Sequence, residues 1–201
     1  MKKRVKFKTP NEDTFVVSKI SCCNFFVKNR RAQIWVETVI YTLIAFALIG
    51  LVLAFAKPKI EELRDKAVLE QSIEMMEDLD LIITEVIQAG AGNKRVIKIA
   101  IRKGDLRLDG SGDKILFEFE GKYIYSEPGE SIQQGNLIVI TEEVGKLGLV
   151  NITRDYSDYN VTYHGKDNLK IISKAATPYN LVISNSGKDG SDKTVIDIEL
   201  T

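Results

Sequence analysis

Between Ile34 and Ala56 the chain reads IWVETVIYTLIAFALIGLVLAFA, an apolar run whose only formal charge is Glu37. A helix of that length rises roughly 34 Å at about 1.5 Å per residue, enough to cross the hydrocarbon of a bilayer. A carboxylate at that depth costs on the order of 2.5 kcal/mol or more unless it is paired. Glu37 therefore requires a reason, and Arg30-Arg31 just ahead of the run supplies a context for one.

Over the whole chain 28 basic and 28 acidic residues cancel, but they are unevenly placed. Residues 1–32 hold Lys2, Lys3, Arg4, Lys6, Lys8, Lys19, Lys28, Arg30 and Arg31 against only Glu12 and Asp13, so everything downstream is net acidic. A basic flank before an apolar span stays on the cytoplasmic side, which places the C-terminal part outside. A basic arm can also bind nucleic acid. Its position directly before a membrane-length segment favours topology, and no nucleic-acid partner is expected. The two cysteines, Cys22 and Cys23, are adjacent within the basic segment and leave the C-terminal part without a disulfide framework. They read as incidental leader residues, a lipidation or metal site being the alternative.

The helical pattern is expected to continue past the span. Lys57-Pro58-Lys59 marks the outer boundary, where lysines reach headgroups and Pro58 kinks or restarts the helix. Beyond it, Ile60, Leu63, Ala67, Leu69, Ile73, Met76, Leu79, Ile83 and Ile87 recur at steps suited to one helical face. Glu62 and Lys66 are spaced as an i,i+4 pair, and Gly90-Ala91-Gly92-Asn93 is a stop signal.

After Asn93 the period changes to two. Residues 96–101, 115–120, 123–125, 137–141, 149–153, 159–163, 169–173, 180–185 and 194–200 alternate apolar and polar side chains between Gly, Asp, Asn or Pro punctuation. Short strands at this spacing predict an antiparallel β domain. The expected fold is therefore α+β: a long N-terminal helix followed by an antiparallel, β-sandwich-like head. The expected organisation is a leader over residues 1–32, a helix over 33–89 with its membrane span at 34–56 and an amphipathic part at 58–89, and a head over 94–201.

The stretch Arg30-Arg31-Ala32-Gln33-Ile34-Trp35-Val36-Glu37 resembles the class III signal of archaeal type IV pilin-like proteins. The resemblance implies that a membrane prepilin peptidase cuts on the cytoplasmic side after Ala32, leaving Gln33 as the new N-terminus and Glu37 as the fifth mature residue. It further implies a structural subunit of a surface filament with an adhesive or related role. Such a subunit forms a helical homopolymer with the aid of an assembly ATPase and a membrane platform protein, and rests in membrane lipid before assembly. The charge on Glu37 has its own physical reading. A cationic α-amino group at Gln33 of one subunit and Glu37 of its neighbour attract strongly in a low dielectric, although desolvation offsets much of that gain. Such a pair sets axial register. Near the cytoplasmic headgroups, an unremarkable carboxylate on a simple anchor is the competing explanation.

Other motifs carry less. Ala54-Phe55-Ala56 has the small-x-small form of an ordinary signal-peptidase site, but the preceding run exceeds a typical h-region. Asn151-Ile152-Thr153 and Asn160-Val161-Thr162 are N-glycosylation sequons, both inside strand-like patterns. Trp35, Tyr41, Phe46 and Phe55 suit a filament core, helix packing or lipid alike. His164, before Gly165, reads as an exposed turn residue, and Asp109-Gly110-Ser111-Gly112-Asp113 as a hairpin turn rather than a calcium loop. No nucleophile–base set and no metal-ligand spacing are visible, so neither catalysis nor a cofactor or metal is expected. The remaining alternative to a filament subunit is a permanently anchored single-pass protein whose external β domain is a binding module.

Overall fold

The computed structural model describes residues 30–201, with side chains from Ile34 onward. Most of the basic leader lies outside the described residues, and so do the side chains of Ala32 and Gln33, whose backbone belongs to a helix. That helix, α1, spans Arg30–Gln88 and holds Pro58 inside it without a break. The missing amide of a proline removes one i→i−4 bond, and here the helical run absorbs that loss rather than restarting. The described residues divide into two compact units, one ending at Leu48 and the other spanning Ile49–Thr201, and α1 belongs to both.

α1 ends where the stop signal lies. Gly90 and Gly92 take φ of 85° and 87°, left-handed values that glycine adopts freely. Asn93 Nδ2 donates to the carbonyls of Ala89 and Gly90 at 2.6 and 3.0 Å, covering acceptors that the helix end leaves open.

Ten strands follow. They are β1 (Lys94–Ile99), β2 (Asp105–Asp109), β3 (Lys114–Gly121), β4 (Ser131–Gln134), β5 (Leu137–Val144), β6 (Leu147–Asp155), β7 (Asn160–Tyr163), β8 (Leu169–Ser173), β9 (Tyr179–Lys188) and β10 (Thr194–Leu200). They form a four-stranded sheet, β1-β9-β10-β7, and a six-stranded sheet, β4-β5-β6-β3-β2-β8. Every pairing is antiparallel except β7 with β10, which is parallel. The class is α+β, a long N-terminal helix followed by a mostly antiparallel β domain.

One core joins these layers. From α1 it takes Leu69, Ile73, Met76, Leu79, Ile83 and Val86. The six-stranded sheet contributes Leu106, Phe117, Phe119, Val139, Val150 and Ile152, and the four-stranded sheet Ile99, Leu181, Ile183, Ile196 and Ile198. The apolar stripe of α1 is thus shorter than its periodicity suggests. Ile60 and Leu63 are 60% and 64% exposed, because at about 100° per residue Ile60 falls on the side of the helix opposite Leu69. At the far end Val86 is buried and Ile87 only half-buried. The spaced pair Glu62–Lys66 does not form either: Lys59 takes Glu62 at 2.6 Å, and Lys66 turns to Glu70 at 3.7 Å.

Two further differences concern strands. Residues 123–125 alternate but do not join a ladder; Tyr123 and Tyr125 pack against the core, and the Tyr125 hydroxyl donates to Gln134 Oε1 at 2.8 Å. Conversely, β2 and β4 lie in segments whose charge and polarity mask their alternation. In β2 only Leu106 and Leu108 are buried.

Candidate functional site

The chemistry singled out by the sequence concentrates in the first half of α1. Trp35 is 72% exposed, Tyr41 63%, Phe46 71% and Phe55 72%, with Ile34, Leu43, Leu48, Leu51 and Leu53 comparably open. No part of the most apolar stretch of α1 is buried inside the protein, and the helix is long and apolar enough to cross a membrane. Apolar surface of this extent in water is unfavourable by roughly 25 cal/mol per Å², so this face requires a cover of lipid or protein.

Polar groups within the stretch are handled locally. The Thr38 hydroxyl donates to the Ile34 carbonyl at 2.9 Å, and the Thr42 hydroxyl to that of Val39 at 2.8 Å. Such back-bonding satisfies a hydroxyl inside an apolar medium. Glu37 has no comparable partner among the described residues and is exposed on the helix surface. Five helical positions separate it from Ala32, so the proposed cut and the carboxylate share the first turns of α1.

Two carboxylates tie the second half of α1 to the head. Asp65 accepts from Lys103 Nζ at 2.6 Å and from the Lys122 amide at 2.7 Å. Lys103 also stands 4.9 Å from the Phe119 ring centroid, and Lys122 Nζ pairs with Glu61. Higher on the helix, Asp80 accepts from Arg154 Nε at 2.6 Å, Asn136 Nδ2 at 2.8 Å and the Tyr156 hydroxyl at 2.9 Å. Burial pushes the Asp80 carboxyl up, but the hydrogen bonds from Arg154, Asn136 and Tyr156 outweigh it and hold it below the usual carboxylate range. Burial and the facing Asp80 charge both push the Tyr156 phenol up. Sequence reading missed this network, since its members are spread over more than seventy positions and only the fold brings them together.

The two sequons differ. Asn160 lies on β7, donates from Nδ2 to Asp189 at 3.1 Å, and its Thr162 hydroxyl is buried and donates to Asp197 at 2.7 Å. The bond from Asn160 is the leading reason that the Asp189 carboxyl lies low. Asn151 lies on β6, between Glu118 and Ile140, half-exposed on the outer face of the six-stranded sheet. His164 occupies the expected turn, at φ 51°, with its ring edge-on to Tyr163 at 4.5 Å. Asp109-Gly110-Ser111-Gly112 joins β2 to β3, and Asp109 Oδ1 accepts from the amides of Ser111 and Gly112 at 3.1 Å each. Among the described residues no cluster of three or more His, Cys, Asp or Glu side chains is placed to hold a metal.

No family model, curated protein or solved structure matches the chain.

Proposed function

We propose that this chain is the structural subunit of an archaeal type IV pilus-like surface filament, with an adhesive or related surface function. The single observation that carries the reading is the uncovered apolar helix from Ile34 to Phe55 with Glu37 as its only charge. It follows a basic segment and continues directly into a helix whose inner face builds the core of a β domain. Before assembly the helix spans the membrane with residues 1–32 cytoplasmic and the head outside. A prepilin peptidase removes the leader after Ala32, and the assembly ATPase and platform protein draw the subunit out. Helices of successive copies then replace lipid, and Glu37 neutralises the α-amino group of Gln33 on a neighbour.

The bond after Ala32 decides the matter. Exposing the full chain to an archaeal prepilin peptidase and sequencing the product should give a chain beginning at Gln33. The variant Ala32→Leu should remain uncut. Glu37→Ala should be processed at close to the normal rate yet fail to form filaments seen by electron microscopy. An uncut wild-type chain that stays monomeric in the membrane would instead support a permanently anchored single-pass protein with an external binding domain.

A further inference from the structure

Two strand edges of the head flank α1, one on each side, and their charges are opposite. β1 ends the four-stranded sheet and β4 ends the six-stranded one. Gln71, Met75 and Asp78 line a cleft with Ile97, Lys98 and Ile99 of β1. Glu70, Ile73 and Glu77 line another with Tyr125 and with Gln134 of β4. At about 100° per residue these two sets turn to opposite sides of Glu74, which is exposed and borders both clefts.

Both edges leave backbone groups without a partner strand. The Asn93 carbonyl accepts from the Asn185 amide at 3.0 Å. The two-residue period then turns Arg95, Ile97 and Ile99 toward β9 and leaves the amides and carbonyls of Lys94, Val96 and Lys98 facing outward. On the other side the Thr141 carbonyl accepts from the Gly129 amide at 2.8 Å. By the same period Leu137 and Val139 bond β4 at Gln134 and Ile132, and Ser131 and Gln133 keep the outward-facing groups. Each edge also carries one open β-branched side chain, Val96 at 63% exposure and Ile132 at 39%.

Residues 93–104, around β1, hold Lys94, Arg95, Lys98, Arg102 and Lys103 and no acid. Residues 123–145, around β4, hold Glu127, Glu130, Glu142 and Glu143 and no base. Arg95, Lys98 and Arg102 are exposed and make no ion pair among the described residues, and the same holds for those glutamates. Glu130 directly precedes β4, and Glu77 of α1 accepts from Gln134 Nε2 at 3.0 Å, so acids border that strand on two sides.

We infer that the open edge of β1 pairs with the open edge of β4 on a second copy of this chain, so that sheets run on from head to head. Lysines on an edge repel unrelated strands, and a strand bordered by acids removes that repulsion. Pairing β1 with β1 across a two-fold axis sets like charges opposite each other, which is unfavourable. The contact uses a different edge on each copy. Every head in a row therefore keeps one edge of each kind for a further neighbour, and the contact repeats in an open assembly instead of ending at a pair. This deepens the filament reading, on which its repetition rests. The four residues of β4 span only ~13 Å. The contact is therefore small, and it gains from helices that already hold copies side by side.

The test uses the full chain with Cys22→Ser and Cys23→Ser, reconstituted at high density in phosphatidylcholine vesicles and treated with a short bismaleimide. Chains carrying Val96→Cys mixed with chains carrying Gln133→Cys should give at least about threefold more cross-linked dimer than Lys166→Cys chains, labelled beyond β7, mixed with the same Gln133→Cys partner. A single chain carrying both Val96→Cys and Gln133→Cys should give a ladder of multimers on a denaturing gel. Arg95→Glu with Lys98→Glu, at exposed sites outside the core, should abolish the product while the circular dichroism spectrum is kept. Glu127→Lys with Glu130→Lys on the partner chain should then restore it. Equal yields from the Val96 and Lys166 mixtures, or a yield that ignores the charge reversals, would overturn the edge contact. The cut after Ala32 is scored separately by N-terminal sequencing of the same chains after exposure to the peptidase. A cut chain without the cross-link sinks the edge contact alone, and a cross-linked chain that resists cutting sinks the filament reading alone.

Discussion

Asp80 and Asp65 show how single carboxylates join the helix to the head. Asp80 is 8% exposed and meets three donors, and Arg154 across from it is itself largely covered. Replacing Asp80 with Ala strands Arg154 and Tyr156 and should destabilise the fold by roughly 2–4 kcal/mol, read from thermal melts of the detergent-solubilised chain. The same network sets a pH window. A depressed Asp80 contributes stability that is present above its ordinary value of 3.8 and lost as pH falls through its lower folded value. A raised Tyr156 contributes stability that is present below 10.0 and lost as pH rises beyond it. Melting temperature should therefore hold between about pH 4 and pH 10 and fall on both sides, and Tyr156→Phe should remove the alkaline fall. Gly121→Ala places a Cβ 2.6 Å from Phe119 Cε1 and 2.9 Å from Asp65 Oδ2. It should cost roughly 1–3 kcal/mol by overpacking, in the same melts.

At the scale of elements, α1 is one helix with two different tasks. Its second half is held by tertiary packing: Leu69, Ile83 and Val86 are fully buried. Ile83→Ala should cost about 2–5 kcal/mol, whereas Leu63→Ala, on the open face, should change stability by less than about 0.5 kcal/mol. The comparison separates the true inner face from the longer stripe suggested by apolar spacing alone. Eight of the strand segments legible as alternation are present in the sheets. The exception, residues 123–125, shows why alternation is insufficient. Tyr123 and Tyr125 face inward as a strand would, but they pack beside α1 and make no ladder. β4 was illegible because SIQQ at a sheet edge shows no apolar alternation, and its burial pattern is open throughout most of its length.

Over the whole molecule, burial divides sharply. The head hides its apolar side chains around one core, while α1 from Ile34 to Phe55 hides none. That contrast leaves the apolar surface of α1 in need of a cover of lipid or protein. Removal of detergent should precipitate the full chain or drive it into self-association, as measured by light scattering. The roles proposed for Glu37 and for the bond after Ala32 belong to this scale too, because they depend on what surrounds the helix outside its own chain.

The sequence by itself determined the membrane-length apolar run, the asymmetry of charge about it, the helix stop at Gly90 and most of the strands. Those follow from local periodicity and from residues, such as glycine, with a distinctive backbone. Tertiary structure alone decided the strand order, the parallel β7–β10 pair, and the gathering of Asp80 with Asn136, Arg154 and Tyr156. Each of these depends on which distant segments share a core, and alternation specifies a face without naming the neighbour that covers it.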